Sequence, residues 1–343
     1  MTIDEKYMAR AIQLAKNGRQ NAVPNPMVGA VIVLDGKIIG EGYHIRCGEG
    51  HAEVNAVASV KDKSLLKDAT IYVSLEPCAH FGKTPPCAQL LIDHKLKRVV
   101  VGCVDPFAKV QGKGIQMLRD AGAEVTVGVL EEECKALNRR FFTFHQKKRP
   151  YITLKWAQSA DGFIYNKDAD RYLSNPRTLM LVHKMRAESQ AILVGSRTAE
   201  TDNPRLDVRL WHGKNPTRIV IDRQNRLSRS LSIFDGSAPT IVFTTSETDE
   251  KISNVEFVTL KAEDFLNQMF AELHKRQIQS LLVEGGRELH QHFIDNSLWD
   301  EIRVEESDIV LDGGIKAPTV PSGAKAERKV QFGHTITTFR NAE

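Results

Sequence analysis

Two short stretches and one further cysteine carry residues that could do chemistry together. His51-Ala52-Glu53 sets an imidazole two positions from a carboxylate, and Glu76-Pro77-Cys78 is followed by Cys87. His51, Cys78 and Cys87 offer one nitrogen and two sulfurs. A catalytic zinc ion takes three protein ligands and keeps a fourth position open, which is what this set allows. Zinc lowers the pKa of a bound water from about 16 to about 7, making hydroxide available at neutral pH. Glu53 could then shuttle protons between water and substrate. A structural zinc site, or buried cysteines without metal, would account for the same residues. A structural site normally has four closed protein ligands, however, and it has no use for Glu53. Cys47 and His44 are the nearby spare ligands that could close such a site. Otherwise Cys47, Cys103 and Cys134 read as small core residues or idle thiols.

H-x-E, then P-C, then another cysteine is the pattern of zinc deaminases, whose glutamate does not ligate the metal. In those proteins two residues separate the cysteines; here the eight-residue segment AHFGKTPP does. It brings His80, Lys83 and Thr84 beside the ligands. A cation and a hydroxyl there suit a small phosphorylated substrate, and the loop would obstruct a polynucleotide strand. Asn25, in PNPMVGAVIV, is either a turn residue or an amide that holds a pyrimidine edge.

The second half holds weaker signals. KWAQSADGFI places Lys155 in a strand and Asp161-Gly162 in the turn after it. AILVGSRTAETDNPRLDVR is a buried strand followed by a polar loop, and LLVEGGREL is a strand, a Gly-Gly turn and a helix start. Glycines feeding a helix N-terminus expose backbone N–H groups that can hold a phosphate, but a tight turn explains Gly285-Gly286 equally well. No G-x-G-x-x-G fingerprint is present. Arg186, Arg205 and Arg209 read as solvated surface charges unless a ligand recruits them.

These residues need elements to position them. The chain has 343 residues, 41% hydrophobic and 26% charged, ordinary values for folded globular protein and long enough for two domains. No apolar run reaches the roughly 18 residues of a membrane span, and the opening MTIDEKYMARAIQLAK is an amphipathic helix, not a secretory signal. The expected address is the cytoplasm. A net charge of +4, from 47 basic and 43 acidic side chains, is too small to imply nucleic-acid binding. Five cysteines, all before residue 150, argue against a disulfide framework.

Strands are expected at 28–34 and 37–43 around the Asp35-Gly36 turn, then at 70–75, 98–104 and 123–129. Helices are expected after His51, at 87–96, from 114 to 120, and through EEECKALNRRFFTFH. HQKKRP (145–150) is the expected boundary, giving domains 1–146 and 150–343. Beyond it, strands are expected at 151–159, 191–195, 218–221, 239–243 and 280–284, with helices near 176–188, 262–276 and 286–296. The stretch after Ile302 reads as a turn-rich surface loop near a cofactor or subunit contact. Alternating strands and helices favour an α/β fold with a largely parallel region.

HAE, the PC-AHFGKTPPC stretch and PNPMVGAVIV together resemble the bifunctional deaminase/reductases of riboflavin biosynthesis. LKWAQSADG, VGSRTAETDNPRLDVR and VEGG resemble the reductase domain of the same family. The resemblance spans nearly the whole chain. It implies an N-terminal cytidine-deaminase-like α/β/α domain and a C-terminal dihydrofolate-reductase-like α/β domain. It further implies one Zn²⁺ per chain on His51, Cys78 and Cys87, with Glu53 as proton donor and Asn25, His44, His80, Lys83 and Thr84 on the substrate. NADPH would lie against Ala157, Tyr172, Thr198, Asp202 and the turn Gly286, Arg287, Glu288, Leu289, His290, Gln291 and His292. Asp170, Arg186, Leu206, Arg209 and Glu284 would face the second substrate. Tyr172 and Asp170 stand where the family often has Trp and Ser. Lys155 and Asp202 are the candidates for the cation and acid of the reductive step, and Arg197 for the NADPH 2′-phosphate. The implied reactions are deamination of 2,5-diamino-6-(5-phosphoribosylamino)pyrimidin-4-one and NADPH-dependent reduction of the product's ribosyl group to ribityl. The expected partners are that small phosphorylated pyrimidine and further copies of the chain, as a dimer or tetramer, with no nucleic acid or membrane. A nucleic-acid-editing deaminase would need a basic strand-binding groove, and a zinc-stabilised scaffold would not need Glu53.

Overall fold

The computed structural model describes residues 1–79, 85–107, 111–169 and 172–341. The chain divides into two compact units, Met1–Lys148 and Arg149–Glu343.

The first unit opens with α1 (Ile3–Ala15), closed by a Thr2/Glu5 capping box. The hairpin β1 (Gly29–Leu34) and β2 (Lys37–Tyr43) follows. Its turn has positive φ at Asp35 (49°) and Gly36 (73°), the twist that matches paired strands. Next come α2 (Ala52–Ser59), β3 (Thr70–Val73), α3 (Cys87–Asp93), β4 (Arg98–Val101), α4 (Lys113–Asp120), β5 (Glu124–Val127), α5 (Glu131–Leu137) and α6 (Arg139–Lys147). The sheet order is β2-β1-β3-β4-β5, antiparallel at β2-β1-β3 and parallel from β3 to β5.

Alternation along β1 sorts its side chains by face. Ala30 and Ile32 pack with α2, α3 and α4 through Ala56, Leu91 and Leu118. Val31 and Val33 pack with α1 through Tyr7, Met8 and Ile12. The result is the α/β/α sandwich that the family resemblance implied. The helix expected across EEECKALNRRFFTFH breaks at Asn138. Its side chain accepts from Met27 N (2.8 Å) and donates to Met27 O (2.7 Å), a pairing that holds the loop carrying Asn25.

The second unit runs β6 (Tyr151–Gln158), β7 (Phe163–Tyr165), α7 (Pro176–Ala187), β8 (Ala191–Gly195), α8 (Ser196–Asp202), β9 (Thr217–Ile221), β10 (Thr240–Thr244) and β11 (Val255–Thr259). It continues with α9 (Phe265–Lys275), β12 (Ser280–Val283), α10 (Arg287–Asp295), β13 (Glu301–Glu306), β14 (Ile315–Lys316), β15 (Lys325–Gln331) and β16 (His334–Arg340). The large sheet is ordered β11-β10-β9-β8-β12-β6-β13-β16-β15. It is parallel from β11 to β13 and ends in an antiparallel edge hairpin. Leu154, Trp156, Ile302 and Val304 face a core made with α9 and α10, so Lys155, Arg303 and Glu305 share the opposite face. The stretch after Ile302 is therefore not all loop. Its first residues complete β13, which lies inside the sheet and has Glu305 buried. No described helix is long and apolar enough to cross a membrane.

Candidate functional site

In the first unit His51 is the N-cap of α2, which puts Glu53 in the first turn. Cys78 follows β3, and Cys87 is the first residue of α3. The three candidate ligand atoms lie within 4.8 Å of one another. His51 Nδ1 is 3.6 Å from Cys78 Sγ and 3.3 Å from Cys87 Sγ. Nitrogen and sulfur sharing a tetrahedral zinc sit about 3.6 Å apart, given metal–ligand distances of about 2.0 and 2.3 Å, so the donor set fits that ion. Cys87 N donates to Cys78 Sγ (3.2 Å). Hydrogen bonding from Cys87, then from His51, brings the Cys78 thiol down to about 4, while the neighbouring Cys78 sulfur and burial push Cys87 up. Two thiols that cannot both ionise alone, beside an imidazole, are a donor set that a divalent cation would complete.

Glu53 is 3% exposed beside this trio. Burial is the main reason its carboxyl is pushed up to about 7, with the Cys78 charge adding and His51 opposing. His44 Nδ1 donates to Gly50 O (3.1 Å), so its Nε2 accepts from Asn25 Nδ2 (3.1 Å). The ring stands edge-on to His51 at 5.4 Å, and burial lowers its pKa. The structure thus brings together His51, Cys78, Cys87, Glu53, His44 and Asn25. His80, Lys83 and Thr84 lie outside the described residues. Cys47 is exposed and belongs to no described cluster.

Glu76 has a role that sequence reasoning missed. Its buried carboxylate accepts from Asp105 N, Gly112 N, Gly114 N and Ile115 N at 2.9–3.4 Å, tying the start of α4 to the segment that ends in Cys78. Gly114 permits the approach: a Cβ there would lie 1.9 Å from Pro77 O. Glu76→Gln replaces two acceptor positions with a donor against buried N–H groups. It should cost about 1–3 kcal/mol, read as a lower denaturant midpoint for the first unit.

In the second unit β8 and β12 are parallel neighbours, and the turns after them meet. Gly286 N donates to Thr198 Oγ1 (2.8 Å). A Cβ on Gly285 would come within 3.2 Å of Val194 Cα, and one on Gly286 within 3.3 Å of Thr198 Oγ1. The glycines let the two turns pack closely before the exposed N-terminus of α10, a place where a phosphate could dock. Near it, Arg186 Nε and Nη2 clasp Glu284 at 3.0 and 2.7 Å, while Nη1 donates to Asp207 O. The side chains of Arg186 and Glu284 are only 11% and 12% exposed, so Arg186 is no solvated surface charge. Arg205 and Arg209 share the Asp207 carboxylate at 3.0 and 2.5 Å. Leu206, between them, is buried with φ 53°, a costly conformation for a bulky residue.

Lys155 is buried. Burial lowers its pKa against the pull of Glu284 and Glu305, and its Nζ is 3.9 Å from Glu305 Oε2. Ala157 lies two residues further along β6, beside Glu305 in register. The remaining expected residues are placed apart. Tyr172 is 90% exposed, and Asp202 closes α8 at the surface. Gly286, Arg287, Glu288 and His292 are exposed, while Leu289 and Gln291 are half-buried. His290 turns into the core against Trp156, where burial drops it to about 4. Arg197 pairs with Glu288 at 2.6 Å on the surface. Asp170 lies outside the described residues.

Residues 150–340 match the RibD C-terminal domain family, and residues 1–103 match the cytidine and deoxycytidylate deaminase zinc-binding region. The chain is 40% identical over 320 residues to riboflavin biosynthesis protein RibD of Aquifex aeolicus (strain VF5), covering 91% of this chain and 89% of that protein. It is 39% identical over 319 residues to RibD of Escherichia coli (strain K12), covering 88% and 86%. A solved structure from Thermotoga maritima superposes with a TM-score of 0.90 at 38% identity over 99% of both chains. That protein is described as a diaminohydroxyphosphoribosylaminopyrimidine deaminase/5-amino-6-(5-phosphoribosylamino)uracil reductase. Acinetobacter baumannii RibD superposes with a TM-score of 0.88 at 31% identity, again over 99% of both chains.

Proposed function

The chain belongs to the RibD family, the bifunctional deaminase/reductases of riboflavin biosynthesis, and on that premise we propose which reaction each unit performs and which residues perform it. The first unit hydrolyses the 2-amino group of 2,5-diamino-6-(5-phosphoribosylamino)pyrimidin-4-one. The second reduces the ribosyl group of the resulting uracil to ribityl. The observation that carries the reading is the convergence of His51, Cys78 and Cys87 within 4.8 Å beside a buried Glu53.

His51, Cys78 and Cys87 would hold one zinc per chain, which supplies the Lewis acidity for water to act as nucleophile near neutral pH. Water contributes oxygen to C2 as the C2–N bond breaks and ammonia leaves. Glu53 takes the proton from the water and delivers it to the departing nitrogen. His44 and Asn25 hold the pyrimidine, and His80, Lys83 and Thr84 face the phosphoribose.

In the second unit NADPH, when bound, supplies the hydride. Ala157, Tyr172, Thr198, Asp202, Gly286 and the first turns of α10 up to His292 would line it, His290 excepted because it packs into the core, with Arg197 toward its 2′-phosphate. Lys155 would hold the sugar oxygen freed as the ribosylamine opens, with Asp202 the acid candidate. Asp170, Arg186, Leu206, Arg209 and Glu284 would place the substrate. The reading extends to a cytoplasmic homo-oligomer, dimer or tetramer.

A coupled assay tests it: the diaminopyrimidine substrate is supplied, and ammonia release and NADPH absorbance are followed together. Chelation should abolish ammonia release yet leave reduction of pre-deaminated intermediate at its starting rate. Loss of both activities on chelation would overturn the division of labour between the units.

A further inference from the structure

Lys155 sits between two carboxylates, half-buried Glu284 and buried Glu305, and the structure explains how the second is held. Glu305 is 2% exposed on β13. Its Oε1 accepts from His334 Nδ1 at 2.8 Å, and its Oε2 accepts from Ser174 Oγ at 2.8 Å. The donor assignment follows from the start of α7. Asn175 is the N-cap there, and its Oδ1 accepts from the backbone N–H groups of Arg177 and Thr178, both at 3.0 Å. That fixes the amide, so Nδ2 faces Phe332 O (2.9 Å) and His334 Nε2 (3.2 Å). An amide nitrogen can only donate. His334 Nε2 must therefore offer its lone pair, and the ring proton resides on Nδ1, aimed at Glu305.

The same helix ends with Arg186, which clasps Glu284. One helix thus secures both carboxylates that flank Lys155, each through a different end. The charged and titratable groups around the Lys155 ammonium are Glu284 after β12, Glu305 and Arg303 on β13, Arg186 on α7, and the neutral His290 on α10.

We propose that Glu305 is a positioning residue of the reductive step, oriented by the Asn175–His334 relay, and that it acts by holding the Lys155 ammonium between itself and Glu284. The proposal rests on Lys155 taking part in reduction. His334 lies in the edge hairpin, so β16 helps orient the carboxylate beside Lys155.

The test uses the full chain with 5-amino-6-(5-phosphoribosylamino)uracil and NADPH, so that deamination is bypassed. Glu305→Gln should lower kcat about 30-fold with KM changed less than about threefold, the pattern of a group needed in the transition state. The alkaline limb of its kcat profile should move to lower pH, because an ammonium deprived of a negative neighbour gives up its proton more readily. Glu305→Asp should return the limb toward the wild-type position. His334→Asn keeps an N–H near the place of Nδ1 and should stay close to wild type, while His334→Leu should fall with Glu305→Gln. An unchanged kcat and limb in Glu305→Gln overturns the proposal. If that variant does not fold, equal kcat values for His334→Asn and His334→Leu overturn it instead. Lys155→Met separates the two layers. Wild-type reduction in that variant removes Lys155 itself from the chemistry, whereas an inactive Lys155→Met beside a wild-type-like Glu305→Gln sinks only the positioning role.

Discussion

Glu53→Gln should lower deamination turnover about 10²–10⁴-fold, the range for a positioned acid–base group, and should leave reduction of the deaminated intermediate at the wild-type rate. The amide fills the same buried space and cannot carry the proton. His51, Cys78 and Cys87 are untouched, so the metal content of the variant should equal that of the wild type. Ammonia release, metal analysis and NADPH oxidation on preformed intermediate check the three parts separately. A variant that keeps normal deamination would remove Glu53 from the proton path.

Lys155→Met has the second large effect, and it falls on the other unit. Reduction should drop while ammonia release continues, because the variant changes only the face of the large sheet that Lys155 shares with Arg303 and Glu305. It should also cost stability, about 1–2 kcal/mol, since Glu305 loses its neighbouring cation but keeps the hydrogen bonds from His334 and Ser174. The pH dependence has a definite sign. Glu284 and Glu305 are held below the ordinary glutamate value of 4.5, against the cost of burial, by Arg186 and Lys155 respectively as the leading attractions. Carboxylates with depressed values stabilise the fold above their unfolded value and lose that contribution as pH falls through the folded one. Without Lys155, Glu305 titrates higher and becomes neutral sooner. The stability gap between variant and wild type should therefore be wide at pH 8 and narrow as pH drops below about 4.5. Denaturant midpoints at several pH values measure it; a gap that ignores pH would mean Glu305 does not depend on Lys155.

Much of the first site was legible because each ligand is a chain neighbour of the element that aims it. His51 begins α2, and Cys87 begins α3, so short motifs report the geometry. What supports those ligands was not legible. Glu76 reaches backbone groups up to 39 residues away, and Asn138 reaches Met27 across 111. Neither side chain belongs to a local pattern. The second site is harder still, since Glu305 meets Ser174 across 131 residues, and only the strand order brings them together. The edge hairpin escaped for a different reason. KAERKVQ carries the charges that protect an exposed edge from pairing with other chains, and those charges hide the period-two signal of a strand. Arg186 was misjudged as a lone charge because its partner, Glu284, lies 98 residues along the chain.

The Asn138–Met27 pairing bears on where this polypeptide can be cut. The deaminase-type region recognised by family comparison stops at residue 103. A fragment trimmed to that limit would lack β5, α4 and the amide that clamps the Asn25 loop. Anyone expressing the hydrolytic half alone needs the chain through Lys147: a truncation between Val127 and Asn138 should keep α4 on Glu76 and so the metal ligands together, but release the loop that carries Asn25, whereas one at residue 103 should lose both.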